Sequence, residues 1–117
     1  MEQYAPRLIY IAGKISGLPE EEYQTNFQAA HLALSARYPE SQIYNPAASL
    51  AELAKLMDHD TLIQVCLQII DCCDAVAFME NWTDSRGAQI EVDHALRSGK
   101  RFISLKSYPG RIEVKEE

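Results

Sequence analysis

Short apolar runs alternate with segments of helical spacing along this chain. Two runs, "RLIYIAG" and "DAVAFM", are rich in β-forming residues and are typical of strands buried on both faces. "SQIYNP", which closes with Asn45 and a proline, predicts another strand, and "RFISL" predicts a fourth. The hydrophobic pattern therefore predicts at least four strands, each flanked by polar or glycine-containing loops.

Helical spacing of apolar residues predicts helices between these strands. One helix is predicted over residues 20–37, before a proline, and another over 87–98, where Gly99 ends the pattern. The long helical pattern over 49–73 has polar residues at 58–60, so two helices or one kinked helix both fit. Strands and helices therefore alternate along the chain.

The predicted order is β-α-β-α-β-α-β, which implies a parallel sheet covered on both faces by helices. The last residues, "RIEVKEE", carry mixed charges and predict a solvated tail that is partly strand. The sequence contains no repeat, no low-complexity segment and no linker. We therefore expect a single α/β domain over residues 1–117.

Three loops are candidates for a binding site, because parallel sheets bind ligands beyond the carboxyl ends of their strands. They cover residues 13–19, 44–49 and 80–87, each directly after a predicted strand. Asn45 is the candidate contact in the second loop, and Gly87 is the last residue of the third. We expect the side chains of these loops to meet at one edge of the sheet.

The first loop, "AGKISGLP", resembles an anion-binding turn in its placement. Gly13 and Gly17 follow a strand and precede a helix, where free backbone amides can meet an anionic group. Lys14 and Ser16 would be the polar contacts. The pattern is neither GxGxxG nor a P-loop, so glycines that only form a turn are the alternative.

Glu91 is the most informative residue of the helix predicted over 87–98. Because helical residues advance by about 100°, Glu91 lies on the flank of the apolar stripe that contains Ala88 and Ala95. There we expect it to be half-buried. Stabilisation by the field of the helix N-terminus is the simple explanation. The functional one is a nucleophilic carboxylate beside the hydroxyl of Ser85 and the cation of Arg86.

Aromatic and histidine side chains near these loops are less informative. Tyr10 and Trp82 could stack on a base, although packing in the core or at its rim is the alternative. His59 is expected to be structural or exposed, and His94 either contacts Glu91 or faces solvent. The sequence shows no metal-ligand set and implies no cofactor.

Composition narrows the class of protein. The chain has 117 residues, 47% of them hydrophobic, and its net charge of -6 without a basic block argues against a nucleic-acid partner. No segment reaches the roughly 20 apolar residues of a membrane span. Three cysteines without CxxC spacing favour reduced thiols, so we expect a soluble cytoplasmic protein.

Four segments taken in order carry a family resemblance: "IYIAGKISGLPEEEYQTNF", "YNPA", "CDAVAFMENWTDSRGAQIEVDHAL" and "GKRFISL". Over about residues 8–105 they resemble small bacterial and phage proteins of the nucleoside 2-deoxyribosyltransferase-like superfamily. The resemblance implies a flavodoxin-like three-layer sandwich with a five-stranded, mostly parallel sheet. It also implies a nucleoside or nucleotide as the small-molecule partner, and a homodimer or larger assembly.

The resemblance assigns roles to several residues. Glu91 would attack the anomeric carbon of the sugar, and water or a second base would resolve the glycosyl-enzyme. Tyr10 and Ser85 complete the implied catalytic set, with Ser85 placed to contact sugar or phosphate. Lys14 and Ser16 fall in the loop that would hold the sugar or a 5′-phosphate.

Cys66 departs from the pattern of the relatives, which carry an aspartate there for proton transfer near the leaving base. A thiol, with a reference pKa of about 8.5, is a poor substitute for that acid. Two hypotheses follow: an N-glycosidase or deoxyribosyltransferase that uses Glu91, or a non-catalytic nucleotide-binding module of the same fold. Cys66 favours the module, whereas the intact segment from Ser85 to Glu91 favours catalysis.

Overall fold

A computed structural model describes residues 4–117 and shows a mixed α/β fold with one five-stranded sheet. Its strands are β1 (Leu8–Ala12), β2 (Gln42–Tyr44), β3 (Ala75–Met79), β4 (Arg101–Tyr108) and β5 (Arg111–Glu116). The order across the sheet is β2-β1-β3-β4-β5, parallel except for the antiparallel β4–β5 pair. The prediction of an α/β fold with a five-stranded, mostly parallel sheet is confirmed.

Helices connect the parallel strands. They are α1 (Glu20–Arg37), α2 (Pro46–Ser49), α3 (Ala51–Ala54), α4 (His59–Asp71) and α5 (Arg86–Arg97), with a short 3-10 helix at Glu80–Asp84. The predicted helices over 20–37 and 87–98 match α1 and α5 within one residue. The long pattern over 49–73 is divided because Asp58 caps α4, accepting a hydrogen bond from the Thr61 amide at 2.7 Å.

The core consists of two apolar clusters, one on each side of the central strands. Successive side chains of a strand point to opposite faces, so Ile9 and Ile11 pack with α1 in one cluster. Tyr10 and Ala12 belong to the other cluster, with residues of α4 and α5. The face that carries Tyr10 is therefore the face that receives α5 and its glutamate.

The C-terminal segment is a full strand, where the sequence predicted a solvated tail that is only partly strand. Gly110 has a φ of 80° and allows the tight turn from β4 into β5. Ile112 and Val114 alternate with charged residues and pack against the cluster on the α1 side. At the far end of β5, Glu116 accepts two hydrogen bonds from Arg101, at 2.6 and 2.7 Å. These contacts hold the segment to the sheet.

Over residues 4–117, no helix is both long and apolar enough to cross a membrane. Nor does any group of three or more His, Cys, Asp and Glu side chains in this range form a potential metal site.

Candidate functional site

Tyr10, Cys66 and Glu91 meet near the carboxyl end of β1, each contributed by a different element. Tyr10 comes from β1, Cys66 from α4 and Glu91 from α5, and all three are buried. The Tyr10 hydroxyl donates a hydrogen bond of 2.6 Å to Oε2 of Glu91. Glu91 is only 8% exposed. It is more deeply buried than helix geometry predicts, because α4 packs against α5 on that flank and adds Cys66.

The electrostatics of this trio follow from its burial. Removal from water raises the pKa of Glu91 to about 7, although hydrogen bonds from Tyr10 and Cys66 act in the opposite direction. Burial, and then the charge of Glu91, raises the pKa of the Cys66 thiol to about 12 and that of Tyr10 well above its usual value. Within the trio, Glu91 is therefore the group that ionises near neutral pH.

Ser85 sets the position of the helix that carries Glu91. Its side chain accepts a hydrogen bond of 3.2 Å from the Ala88 amide and so caps the N-terminus of α5. Ser85 is itself 8% exposed. The serine predicted to contact the ligand thus has a structural role too, and it brings the first turn of α5 against the site.

Two cavities adjoin the Glu91 carboxylate. The first, of about 70 Å³, has mainly hydrocarbon and aromatic walls, among them Tyr23, Phe27 and Leu50, and we call it the apolar cavity. The second, of about 80 Å³, we call the serine cavity; Ser16, His59, Ser85 and Gly87 line it. Glu91 and Cys66 belong to both walls. Glu91 therefore lies between the two cavities, and serine and histidine side chains line only the second of them.

Both cavities are small beside the roughly 300–1,000 Å³ of a typical ligand site. One wall of the apolar cavity is α3, which contributes Ala51 and Ala54 and has no buried side chain. Because α3 has no buried side chain, its outward movement would expose little of the core, and a ligand the size of a nucleoside would need such an opening.

In the first loop, two of the predicted contacts lie away from the cavities. The Lys14 amide donates to Oδ1 of Asn81 at 3.0 Å, so it is engaged within the protein. Gly17 has a φ of +88° and serves the turn. Gly13 does line both cavities, but a Cβ there would lie 2.1 Å from the terminal methyl of Met79. The turn at Gly17 and the close packing at Gly13 therefore explain why glycine occupies these positions without a bound ligand.

Three other predicted binding residues do not border either cavity. Asn45 is buried and accepts a hydrogen bond of 3.2 Å from the Ala48 amide, which caps α2. Arg86 is exposed and forms an ion pair of 3.4 Å with Asp60. Trp82 packs edge-on against Phe78, with ring centroids 6.0 Å apart. Their contribution to binding stays a prediction, and the geometry gives each a structural explanation.

A larger surface depression, of about 500 Å³, lies at the opposite end of the sheet. Tyr38, Arg101 and Glu116 are among its lining residues. It contains none of the residues that the sequence selected, and Arg101 and Glu116 there are engaged with each other. The chemistry described above belongs to the smaller cavities around Glu91.

Comparison with protein families gives one match, described as a domain of unknown function (DUF4406), over residues 7–104. The chain belongs to this family. The matched span includes Tyr10, Cys66, Ser85 and Glu91, so the candidate site lies within the DUF4406 domain, whereas β5 lies beyond it. No curated protein matches the chain.

The structure shows how Cys66 and two histidines lie relative to the site. Cys66 lies on the apolar stripe of α4, three positions after the buried Ile63, so its burial against the sheet could have been read from helical spacing. His59 is exposed, in agreement with the prediction, and lines the serine cavity beside Gly87 because α4 begins at this residue, after the break that the polar residues at 58–60 indicated. His94 contacts Asp71 at 2.7 Å and not Glu91.

Proposed function

We propose that this DUF4406 protein is a nucleoside or nucleotide N-glycosidase or deoxyribosyltransferase, with Glu91 as its nucleophile. The observation that carries the proposal is the buried Glu91 carboxylate, held by Tyr10 and open to both cavities. We further propose membership of the nucleoside 2-deoxyribosyltransferase-like superfamily and a flavodoxin-like three-layer sandwich. Helix-packed apolar clusters on the two sides of a mostly parallel sheet support that fold.

The reaction proceeds by two displacements. The Tyr10 bond fixes Oε2 of Glu91, which leaves Oε1 to attack the anomeric carbon as the bond from carbon to base nitrogen breaks. The carboxylate also stabilises the oxocarbenium-like charge that develops on the sugar. Water, or the nitrogen of a second base, then attacks the same carbon and releases Glu91. Two inversions at one carbon retain its configuration.

The two cavities divide the ligand between them. The apolar cavity offers ring and hydrocarbon surface to a base, with Tyr23 and Phe27 among its walls. The serine cavity offers the hydroxyls of Ser16 and Ser85, at the N-terminus of α5, to the sugar or a 5′-phosphate. The proposal also includes a homodimer or larger assembly, and a cytoplasmic location, for which the three free cysteines are suited.

Replacing Glu91 by glutamine tests the nucleophile. The wild-type protein and the Glu91→Gln variant are incubated with a panel of nucleosides and 5′-monophosphates, and free base is measured by chromatography. We expect the variant to lose base release by roughly 1,000-fold or more, the scale of losing a nucleophile. Asp93→Asn, an exposed substitution on the same helix, is the matched control and should retain the wild-type rate. Base release that survives in the glutamine variant would exclude Glu91 as the nucleophile.

A non-catalytic nucleotide-binding module is the second candidate, favoured by Cys66, whose thiol has a pKa raised to about 12 by burial and is a poor proton donor to a base. The pH dependence separates the two functions. A nucleophile has to be ionised, so base release should rise with pH through about 7, the pKa of Glu91. Nucleotide binding without base release between pH 5 and 9 would establish the module instead.

A further inference from the structure

The apolar cavity lacks a strong acid beside Glu91. Among residues 4–117, Glu91 is the one carboxylic acid that lines it, and its other acidic hydrogens belong to Tyr10, Tyr23 and Cys66. Phenols and thiols are weak acids at neutral pH. Tyr10 already donates its hydrogen to Glu91, and the Cys66 thiol has its pKa raised to about 12 by burial. A base that must be protonated in order to leave therefore finds no good donor there.

His59 lies on the other side of the carboxylate. Of the described histidines it is the one that lines either of the two cavities at Glu91, and its ring lies in the serine cavity beside Gly87. The apolar cavity, which suits the base, has no histidine in its wall over residues 4–117. His59 is therefore placed on the side of the sugar, not on the side of the leaving group.

The charge of the site also favours a base that needs no proton in order to leave. Over the described residues, no lysine or arginine side chain lines either cavity, and the carboxylate of Glu91 is the formal negative charge between them. An unpaired carboxylate in a poorly solvated site favours a cation as its partner. Two aromatic residues, Tyr23 and Phe27, also line the apolar cavity, and aromatic rings attract cations through their quadrupole.

We propose that the substrate is a cationic N-glycoside, a nucleoside whose base carries a positive ring nitrogen, such as an N-ribosylpyridinium or an N7-alkylated purine nucleoside. This inference rests on the proposed role of Glu91 as nucleophile. A base of this kind needs no proton in order to leave, because it departs as a neutral molecule.

The electrons and atoms balance without a general acid. Oε1 of Glu91 forms a bond to the anomeric carbon, and the bond from that carbon to the ring nitrogen breaks. Its electron pair stays on the nitrogen and cancels the positive charge. Water then forms a bond to the same carbon, the carbon–Oε1 bond breaks, and its pair returns to Glu91 as carboxylate. The proton of the water goes to solvent, so the products are the free sugar, the neutral base and one proton.

Matched substrate pairs test the inference. Nicotinamide riboside is compared with its dihydro form, and 7-methylguanosine with guanosine, since each pair differs chiefly in the charge of the base. Release of free base is measured for the wild-type protein, Glu91→Gln and the Asp93→Asn control. We expect release from at least one cation to exceed that from its neutral partner by about 100-fold or more, the contribution that a general acid would otherwise supply.

Each outcome decides a different statement. Release that depends on Glu91 and is equally fast from neutral and cationic partners would overturn the cationic substrate and keep the nucleophile. No Glu91-dependent release from any nucleoside or 5′-monophosphate would overturn both. The pH profile of nicotinamide riboside, whose pyridinium charge does not titrate, adds a second check: its rate should rise with Glu91 ionisation and then stay level. A fall at high pH would reveal a general acid and contradict the inference.

Discussion

The ionised Glu91 side chain lowers the free energy of unfolding at neutral pH. Burial raises its pKa from 4.5 to about 7, so between these values the folded protein binds a proton that the unfolded chain has released. The contribution of Glu91 to the free energy of unfolding therefore falls as pH rises from 4.5 to 7, and the full cost is present above pH 7. A shift of this size corresponds to a cost on the order of 3 kcal/mol.

We predict from this that Glu91→Gln stabilises the protein in the same pH window. The free energy of unfolding of the variant should equal that of the wild type at pH 4.5 and should be higher by on the order of 3 kcal/mol at pH 8. Urea unfolding at a series of pH values measures the difference. Tyr10→Phe is the comparison variant: it removes a hydrogen bond that lowers the pKa of Glu91, so the window should extend to higher pH. A difference in free energy of unfolding between Glu91→Gln and the wild type that does not change with pH would contradict this prediction.

At the same scale, the sequence predicted the candidate residues better than their contacts. Tyr10 and Glu91 were both selected, but the hydrogen bond between them joins residues that are 81 positions apart. Its formation depends on how α5 packs on β1, which residue spacing does not specify. Asn45 and Arg86 illustrate the limit. The Ala48 partner of Asn45 depends on the local turn into α2, and the Asp60 partner of Arg86, 26 positions away, depends on how α4 packs beside α5.

The N-terminus of α5 is the element on which the site depends most. Ser85→Ala should lower the free energy of unfolding by about 1 kcal/mol, because the Ala88 amide loses its side-chain acceptor at 3.2 Å. Ser85→Thr is the matched control, since threonine keeps an oxygen that can cap the helix. Urea unfolding of the three proteins measures the effect, and equal stability of the alanine variant and the wild type would contradict the capping role.

The predicted helices were accurate where helical spacing is combined with a clear end signal. Pro39 follows α1 and Gly99 follows α5, so the bounds of both helices were found within one residue. The segment between β2 and α4 was predicted less well, because it forms two short helices that meet at Leu50, where no side-chain cap marks the boundary. The spacing of hydrophobic residues does not reveal a boundary of this kind.

At the scale of the whole molecule, β5 secures the open edge of β4. Deleting residues 109–117 should lower the free energy of unfolding by about 2–4 kcal/mol, through the lost burial of Ile112 and Val114. Glu116→Gln is the control that weakens only the ion pair with Arg101, and it should cost about 1 kcal/mol or less, since both side chains are partly exposed. Equal effects of the two changes in urea unfolding would contradict this division.

The overall architecture followed from the sequence because four apolar runs alternate with helices, and that alternation allows few arrangements other than a parallel sheet. The antiparallel fifth strand was only partly predicted. Its two inward apolar residues, Ile112 and Val114, lie among charged neighbours, and short polar strands resemble solvated tails in sequence.

The weakly anchored α3 has a thermodynamic consequence for any ligand. If the binding-competent form is one in which this wall has opened, only a fraction of molecules is competent at any instant, and the apparent dissociation constant is the intrinsic one divided by that fraction. A substitution that disfavours the shut form should tighten binding without touching the ligand. Co-crystallisation is then a better route to a complex than soaking preformed crystals, whose lattice would trap the shut population.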